Sequence, residues 1–216
     1  MKIKICGLKT IEDSIVACQA GADMLGFNFF QPSPRYIDLI TCREIVARIK
    51  SGFPKVIHVG VFVNHSVDEI RNICESTQID VVQLSGDETL EMIQKIGEMA
   101  YKALRVSRLE EAKALIENLP KRSAPPAFLI DSYEKGAYGG TGKIGSWELA
   151  AQIAEEYSIL LAGGLKPENI AEAVGKVRPW GVDVASGVEQ ENGVKTPERI
   201  IEFIQKAKAA AEQISI

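Results

Sequence analysis

A short apolar strand, Ala127 to Ile130, ends on the carboxylate of Asp131, and a glycine-rich run from Ser132 to Lys143 follows at once. A carboxylate at a strand end is held rigidly at the mouth of a fold. A loop with several glycines can move and can bring backbone N–H groups close to an anion. The pairing points to a positioned proton carrier beneath a mobile flap, and so to an enzyme. Cys6 is the second candidate, because it closes the apolar stretch Lys2–Cys6. Taken singly, Asp131 reads equally well as a loop cap and Cys6 as a small buried residue. Taken together, they are one acid and one base able to face a shared pocket, which fits proton transfer. A free aspartic acid titrates near ~3.9, so an acid at Asp131 needs partial burial or a neighbouring anion to hold its proton. A free cysteine near pKa ~8.5 is mostly thiol at neutral pH, so a base at Cys6 gains from a lowered value. Lys4 alternates with Cys6 along the strand, and the same side of the strand would suit both.

The other candidates also fall at strand ends. Gly163-Gly164 and Ser186-Gly187 occupy consecutive loops and suit a phosphate held by backbone N–H groups and a helix N-terminus; the alternative is that these glycines only permit tight turns. Gly142, in the run after Asp131, is expected to join them as a phosphate-binding residue. Arg35 stands in a Pro-flanked turn, where its planar guanidinium suits a substrate carboxylate or is a surface charge. Gln83 and Asp183 end two further strands and either orient loops or contact substrate hydroxyls. Gly140–Gly145 matches G-x-G-x-x-G, but the motif should follow its strand directly, and here a loop intervenes. The same stretch is not a Walker A loop, since Ala137 replaces the first glycine and Ile144 the magnesium-binding hydroxyl. His58 reads as a packed strand residue and His65 as a solvated loop residue. Cys18, Cys42 and Cys74 fall in helical patterns and read as buried thiols. With no C-x-x-C pair and two histidines, no metal site is expected.

The elements that must position these residues recur along the whole chain. Apolar, β-branched runs fall near Lys2–Cys6, Met24–Phe29, Val56–Phe62, Val81–Leu84, Tyr101–Val106, Ala127–Asp131, Ile159–Ala162 and Gly181–Val184. Amphipathic patterns fall near Thr10–Ala20, Leu39–Lys50, Val67–Thr77, Leu90–Met99, Arg108–Asn118, Trp147–Glu155, Pro167–Val174 and Pro197–Glu212. Ser146 and Thr196 are candidate N-caps, and Pro167 suits a first helical position. Strands apolar almost throughout suit a parallel sheet covered on both faces. Eight strand–helix units with short connections favour a closed (β/α)8 barrel, an α/β TIM barrel formed by residues 1–216 as one domain, over an open doubly wound sheet. In such a barrel chemistry sits on the loops after the strands, and the loops after strands seven and eight commonly hold phosphate. The chain has 216 residues and a formal charge of -4, with its basic residues scattered, which argues against a nucleic-acid surface. No apolar run is long enough to span a bilayer and no leader pattern opens the chain, so a cytoplasmic protein without membrane partners is expected.

These residues together resemble the phosphoribosylanthranilate isomerase family of tryptophan biosynthesis. The likeness covers nearly the whole chain. It rests on Lys4-Ile5-Cys6-Gly7, Ser33-Pro34-Arg35-Tyr36-Ile37, Val59–Asn64, Val82-Gln83-Leu84, Asp131 with Tyr138–Lys143, Ala162–Leu165 with Pro167-Glu168-Asn169, and Val182–Glu189. The resemblance implies a barrel and a cofactor-free Amadori rearrangement of N-(5-phosphoribosyl)anthranilate to 1-(2-carboxyphenylamino)-1-deoxyribulose 5-phosphate. It implies Cys6 as general base, Asp131 as general acid, Arg35 on the anthranilate carboxylate, and the two glycine loops on the phosphate; the partner expected is a small phosphosugar, and the chain is expected as a monomer or homodimer. Two positions depart from the family's pattern: Ser85 stands where histidine is frequent, and Ser146 where aspartate is frequent. Ser85 removes any auxiliary imidazole there; neither departure touches Cys6 or Asp131. Two rivals are a phosphosugar isomerase serving both histidine and tryptophan pathways, which tends to use two aspartates, and a non-catalytic phospholigand-binding barrel.

Overall fold

The structure is a computed structural model that describes residues 1–105, 108–131 and 147–214. Eight strands alternate with eight helices. The order is β1 (Lys2–Cys6), α1 (Ile11–Ala20), β2 (Met24–Asn28), α2 (Leu39–Gly52), β3 (Ile57–Phe62), α3 (Val67–Thr77), β4 (Val81–Leu84) and α4 (Leu90–Ile96). It continues β5 (Ala100–Leu104), α5 (Leu109–Asn118), β6 (Phe128–Ile130), α6 (Trp147–Ala154), β7 (Ile159–Leu161), α7 (Ile170–Val177) and β8 (Gly181–Val184). Two short strands, β9 (Glu189–Glu191) and β10 (Val194–Lys195), precede α8 (Pro197–Ile214). Strands β1 to β8 pair in sequence order, all parallel, and β1 closes on β8 through Lys4↔Asp183 and Ile5↔Val184. The expected closed barrel is therefore present, and the open sheet is not.

The period of two along each strand decides what faces the interior. Ile3 and Ile5 of β1, Phe27 of β2, Phe62 of β3 and Val182 and Val184 of β8 point outward into the large core beneath the helices. Met24, Val59, Tyr101, Ala103, Leu129, Leu160 and Ala162 form a separate apolar cluster inside the ring. Lys4 and Cys6 have the parity opposite to Ile3 and Ile5, so they share the interior face of β1. His58 has outward parity. It is fully buried, its ring stacks on Phe27 at 6.3 Å, and its Nδ1 lies 2.8 Å from Asp80 Oδ2, so its expected packing role holds.

Helix ends follow local chemistry. Thr10 Oγ1 accepts from Asp13 N at the start of α1, and Ser66 with Glu69 forms a reciprocal capping box on α3. Several element ends differ from the sequence reading. Helix α7 begins at Ile170, not Pro167, which lies in the preceding turn; Asn169 takes the cap position. Pro197 opens α8, but Thr196 Oγ1 is buried with no partner among the described residues and so does not cap it. Gly97, at φ +77, ends α4, and a 3-10 turn completes the stretch to Met99. The predicted cap at Ser146 lies outside the described residues.

The antiparallel pair β9–β10 was not expected. Glu191 pairs with Val194, and the turn between them is Asn192-Gly193, with Gly193 at φ +80. The hairpin rises over the mouth of the barrel beside the loop that carries Arg35. A Cβ on Gly193 would lie 2.3 Å from the Pro34 carbonyl oxygen, so the hairpin and that loop are in close backbone contact.

Candidate active site

The C-terminal ends of the strands surround a cavity of about 360 Å³. Cys6, Arg35, Gln83, Asp131, Gly163, Gly164, Asp183 and Ser186 all line it, so most of the residues singled out from the sequence converge on one space. Gly187 does not line it. Its Cα packs so tightly against the next loop that a Cβ would lie 1.9 Å from the Leu165 carbonyl oxygen, and its own carbonyl accepts from Arg199 Nε. Gly142 lies outside the described residues, as does the rest of the run after Asp131.

Cys6 ends β1, with 8% of its surface exposed. The neighbouring strand gives it room: a Cβ on Gly26 would meet Cys6 Sγ at 2.8 Å. Asp131 stands one residue past β6, and its N–H donates to the Leu104 carbonyl, which fixes the carboxylate at the rim of the same cavity.

Beneath Cys6 lies a buried polar frame. Lys4 is completely buried; its Nζ donates to Gln83 Oε1 at 2.9 Å and to Asp183 Oδ2 at 3.0 Å. Gln83 Oε1 also accepts from Tyr101 Oη at 2.7 Å, and Gln83 Nε2 donates to Ser85 Oγ at 3.1 Å. Gln83 and Asp183 therefore hold Lys4 while facing the cavity. Asp183 Oδ1 is buried and has no hydrogen-bond partner among the described residues, which leaves a spare acceptor on a residue that lines the cavity.

The electrostatics of Cys6 do not supply the lowered value from which a base would gain. Burial pushes its thiol above the ordinary value, and the carboxylate of Asp183 adds to that; Lys4 and Lys195 pull the other way without prevailing. Burial thus favours the thiol over the thiolate: desolvation outweighs two nearby ammonium groups, each of which already has a carboxylate partner. The inference that Lys4 faces the same side as Cys6 holds. Its own charged form is disfavoured by burial and restored above the usual value by Asp183 and Cys6.

Arg35 is not a free guanidinium. Its Nε and Nη2 donate to the two carboxylate oxygens of Glu189 at 2.8 and 2.7 Å. Lys195 Nζ donates to Glu189 Oε1 at 2.8 Å and Gly193 N donates to Oε2 at 3.1 Å, so the hairpin centres on one carboxylate. Glu189 is held below the ordinary carboxylate range: burial opposes this, but Arg35 and Lys195 outweigh it. Lys195, Asn192 and the hairpin were missed from sequence. The Asn192-Gly193 dipeptide between short extended stretches was the available signal. Arg105, just past β5, was also missed; it lines the cavity and donates from Nη2 to the Ser85 carbonyl at 2.6 Å.

On the far wall, Gly163 and Gly164 sit at φ +90 and +66, a conformation that glycine adopts at little cost. Asn169 braces their loop, donating to the Gly164 carbonyl at 2.9 Å and accepting from Lys166 N at 2.9 Å. Ser186 begins a 3-10 turn beside it. His65 is half-buried, with its ring edge on Phe62 at 5.5 Å, and not the solvated residue expected. Cys18, Cys42 and Cys74 are buried in helices as expected, their thiols pushed up by burial to about 11, 12 and 11. Among the described residues no group of three or more His, Cys, Asp and Glu side chains is placed to hold a metal ion, and no helix is long and apolar enough to cross a membrane.

Residues 3–206 match the family model described as N-(5'phosphoribosyl)anthranilate (PRA) isomerase. A relative from Geotalea uraniireducens named N-(5'-phosphoribosyl)anthranilate isomerase is 42% identical over 208 residues, covering 96% of this chain and 98% of its own. The crystal structure of phosphoribosyl anthranilate isomerase from Thermotoga maritima is similar with a TM-score of 0.85 at 34% identity, covering 97% of this chain and 99% of that one. A structure of such an isomerase in complex with reduced 1-(o-carboxyphenylamino)-1-deoxyribulose 5-phosphate is similar with a TM-score of 0.82 at 33% identity and the same coverage. With a closed eight-stranded barrel, a mouth bearing Cys6 opposite Asp131, and a match over nearly its full length, this chain belongs to the N-(5'-phosphoribosyl)anthranilate isomerase family.

Proposed function

We propose that Cys6 is the general base and Asp131 the general acid of the reaction this chain carries out, the conversion of N-(5-phosphoribosyl)anthranilate to 1-(2-carboxyphenylamino)-1-deoxyribulose 5-phosphate in tryptophan biosynthesis. The carrying observation is that a thiol on β1 and a carboxyl group past β6, on opposite sides of the ring, line one cavity. The Asp131 carboxyl group gives its proton to the furanose ring oxygen. The bond from that oxygen to the anomeric carbon breaks, and the anthranilate nitrogen lone pair makes an iminium ion. Cys6, as the thiolate left once its own proton has passed to solvent, then removes the proton on the adjacent carbon, and the electron pair moves toward the iminium nitrogen to give an enolamine. Transfer of the hydroxyl proton on that carbon to the former anomeric carbon yields the ketone. Burial makes this thiolate the minor form of Cys6, and the positive charge of the iminium beside Sγ favours it at the step where it is used.

The substrate is a small phosphosugar. Its phosphate lies against the backbone at Gly163, Gly164 and Ser186, and the Asp183 Oδ1 acceptor takes a sugar hydroxyl. Gln83 holds that acceptor's frame. Arg35 takes the anthranilate carboxylate through the edge that Glu189 leaves free. The chain works as one catalytic domain in the cytoplasm, as a monomer or homodimer; a similar Thermotoga maritima structure is described as monomers of a dimeric isomerase. Cys6→Ala and Asp131→Asn are each expected to fold and to lose roughly 10²–10⁴-fold in kcat, measured by conversion of purified substrate. Near-normal kcat in either variant removes that residue from the mechanism.

A further inference from the structure

We propose that Lys4 is the positioning residue of the Cys6 thiolate: its buried ammonium, fixed from below by Gln83 and Asp183, presents its remaining N–H to Sγ and holds the negative sulfur at the level where it takes the proton. This rests on the reading of Cys6 as the base. The geometry supports it from three sides. First, Lys4 and Cys6 are neighbours on the interior face of β1, and the shared parity aims both at the ring's centre. Second, an ammonium has three donors, and Lys4 spends one on Gln83 Oε1 and one on Asp183 Oδ2. Both acceptors are themselves fixed, Gln83 by Tyr101 and Ser85, and Asp183 by its place on β8 beside Lys4. The ammonium therefore cannot swing away to another partner when sulfur becomes charged.

Third, a completely buried lysine calls for a reason. A buried ion pair is no more stabilising than a well-packed apolar pair of the same volume, and often less. The interior of the ring also holds an apolar cluster that includes Met24, Val59, Leu129 and Leu160, so an apolar pair in place of both Lys4 and Asp183 would extend that packing. The charge is instead kept directly beneath the reacting thiol.

The other charged and titratable groups facing Cys6 do not serve this purpose. Asp183 on β8 raises the thiol. Lys195 on β10 lowers it, but its Nζ is bound to Glu189 and to the Ala185 carbonyl. Arg35, from the loop after β2, is bound to Glu189. Tyr101, on β5, is engaged with Gln83. Lys4 is the foremost of the groups that oppose the burial of the thiolate.

The test reads sulfur directly and needs no turnover. Wild type, Lys4→Met and Lys4→Met/Asp183→Asn are treated with iodoacetamide across pH 6 to 10, and alkylation of the Cys6-containing peptide is quantified by mass spectrometry. The expected result is at least an approximately tenfold slower reaction at pH 7 in both variants, with the rate–pH curve displaced upward, because removing a unit charge from beside a buried thiolate displaces its ionisation by about a pH unit or more. Alkylation of Lys4→Met within about twofold of wild type overturns the proposal. So does a slow single variant with a double variant restored to the wild-type rate, since Lys4 would then only neutralise Asp183. The double variant has no stranded charge; if Lys4→Met alone does not fold, the double variant decides by the same criterion. Failure of the Cys6-as-base reading is distinguishable, because it shows as an active Cys6→Ala enzyme whatever the alkylation rates are.

Discussion

Replacing Glu189 by glutamine tests whether the hairpin exists to hold Arg35. The carboxylate receives four donors: two from Arg35, one from Lys195 and one from Gly193. The side chains of Arg35, Glu189 and Lys195 are only 12%, 4% and 1% exposed. Removing one partner of a buried pair costs about 3–5 kcal/mol, because the remaining charge is left desolvated. Glutamine keeps one acceptor oxygen and Arg35 retains some access to water, so the lower end applies, about 3 kcal/mol. For a chain of this length that corresponds to a fall in Tm of roughly 6–12 °C. Glu189 titrates below its ordinary 4.5 when folded, so its contribution is complete above that pH and is lost as pH falls through the depressed value. The wild-type advantage should therefore narrow in acid and persist from pH 5 to 8. Urea unfolding at a series of pH values measures this. Arg35, loosened from its plane, should lose charge-assisted contacts to the substrate carboxylate, raising KM roughly tenfold with kcat changed far less. A variant with unaltered stability and KM would refute the claim that this carboxylate organises the mouth.

Two further substitutions probe the supports. Gly26→Ala places a methyl group 2.8 Å from Cys6 Sγ and 3.0 Å from Cys6 Cα, so β1 must shift; kcat should fall about 10²-fold with a stability loss of about 1–3 kcal/mol, and wild-type kinetics would show that Cys6 tolerates displacement. Asp80, whose carboxyl is held down at about 2 by His58 and Lys50 against the opposing effect of burial, should give Asp80→Asn a deficit of about 1–2 kcal/mol at pH 7 after allowing for its 37% exposure. That deficit should close between about pH 4 and pH 2, because a depressed carboxyl contributes above its unfolded pKa and loses the contribution as pH falls through its folded one; a deficit constant down to pH 2 would contradict the pairing.

What the sequence carried well was position along each strand. The eight apolar runs place Cys6, Gln83, Asp131 and Asp183 at or just past strand ends, and the period of two places Lys4 with Cys6; both are local properties of the chain. The bidentate contact of Arg35 with Glu189 spans 154 residues and has no local signature. The hairpin that supplies Glu189 and Lys195 has strands of only three and two residues, mostly polar, so no hydrophobic period announces it. The direction of the Cys6 shift was not legible for a related reason. A lysine two residues away is visible in the sequence, whereas the depth of burial that outweighs it belongs to the closed barrel.

The charge balance of the mouth connects these observations to the ligand. Among the described residues, Lys4, Lys195, Arg35 and Arg105 stand in and around the cavity with the carboxylates of Asp183 and Glu189, an excess of two positive charges before Asp131 is counted. The chain as a whole carries -4, so this local surplus stands against the sign of the molecule. Low-dielectric walls concentrate such a field within a cleft. A thiolate at rest would cancel part of it and repel a substrate that bears both a phosphate and a carboxylate. A thiol at rest does neither. A resting thiol thus favours substrate entry, and the smaller thiolate population is the form that takes the carbon-bound proton once the iminium has formed.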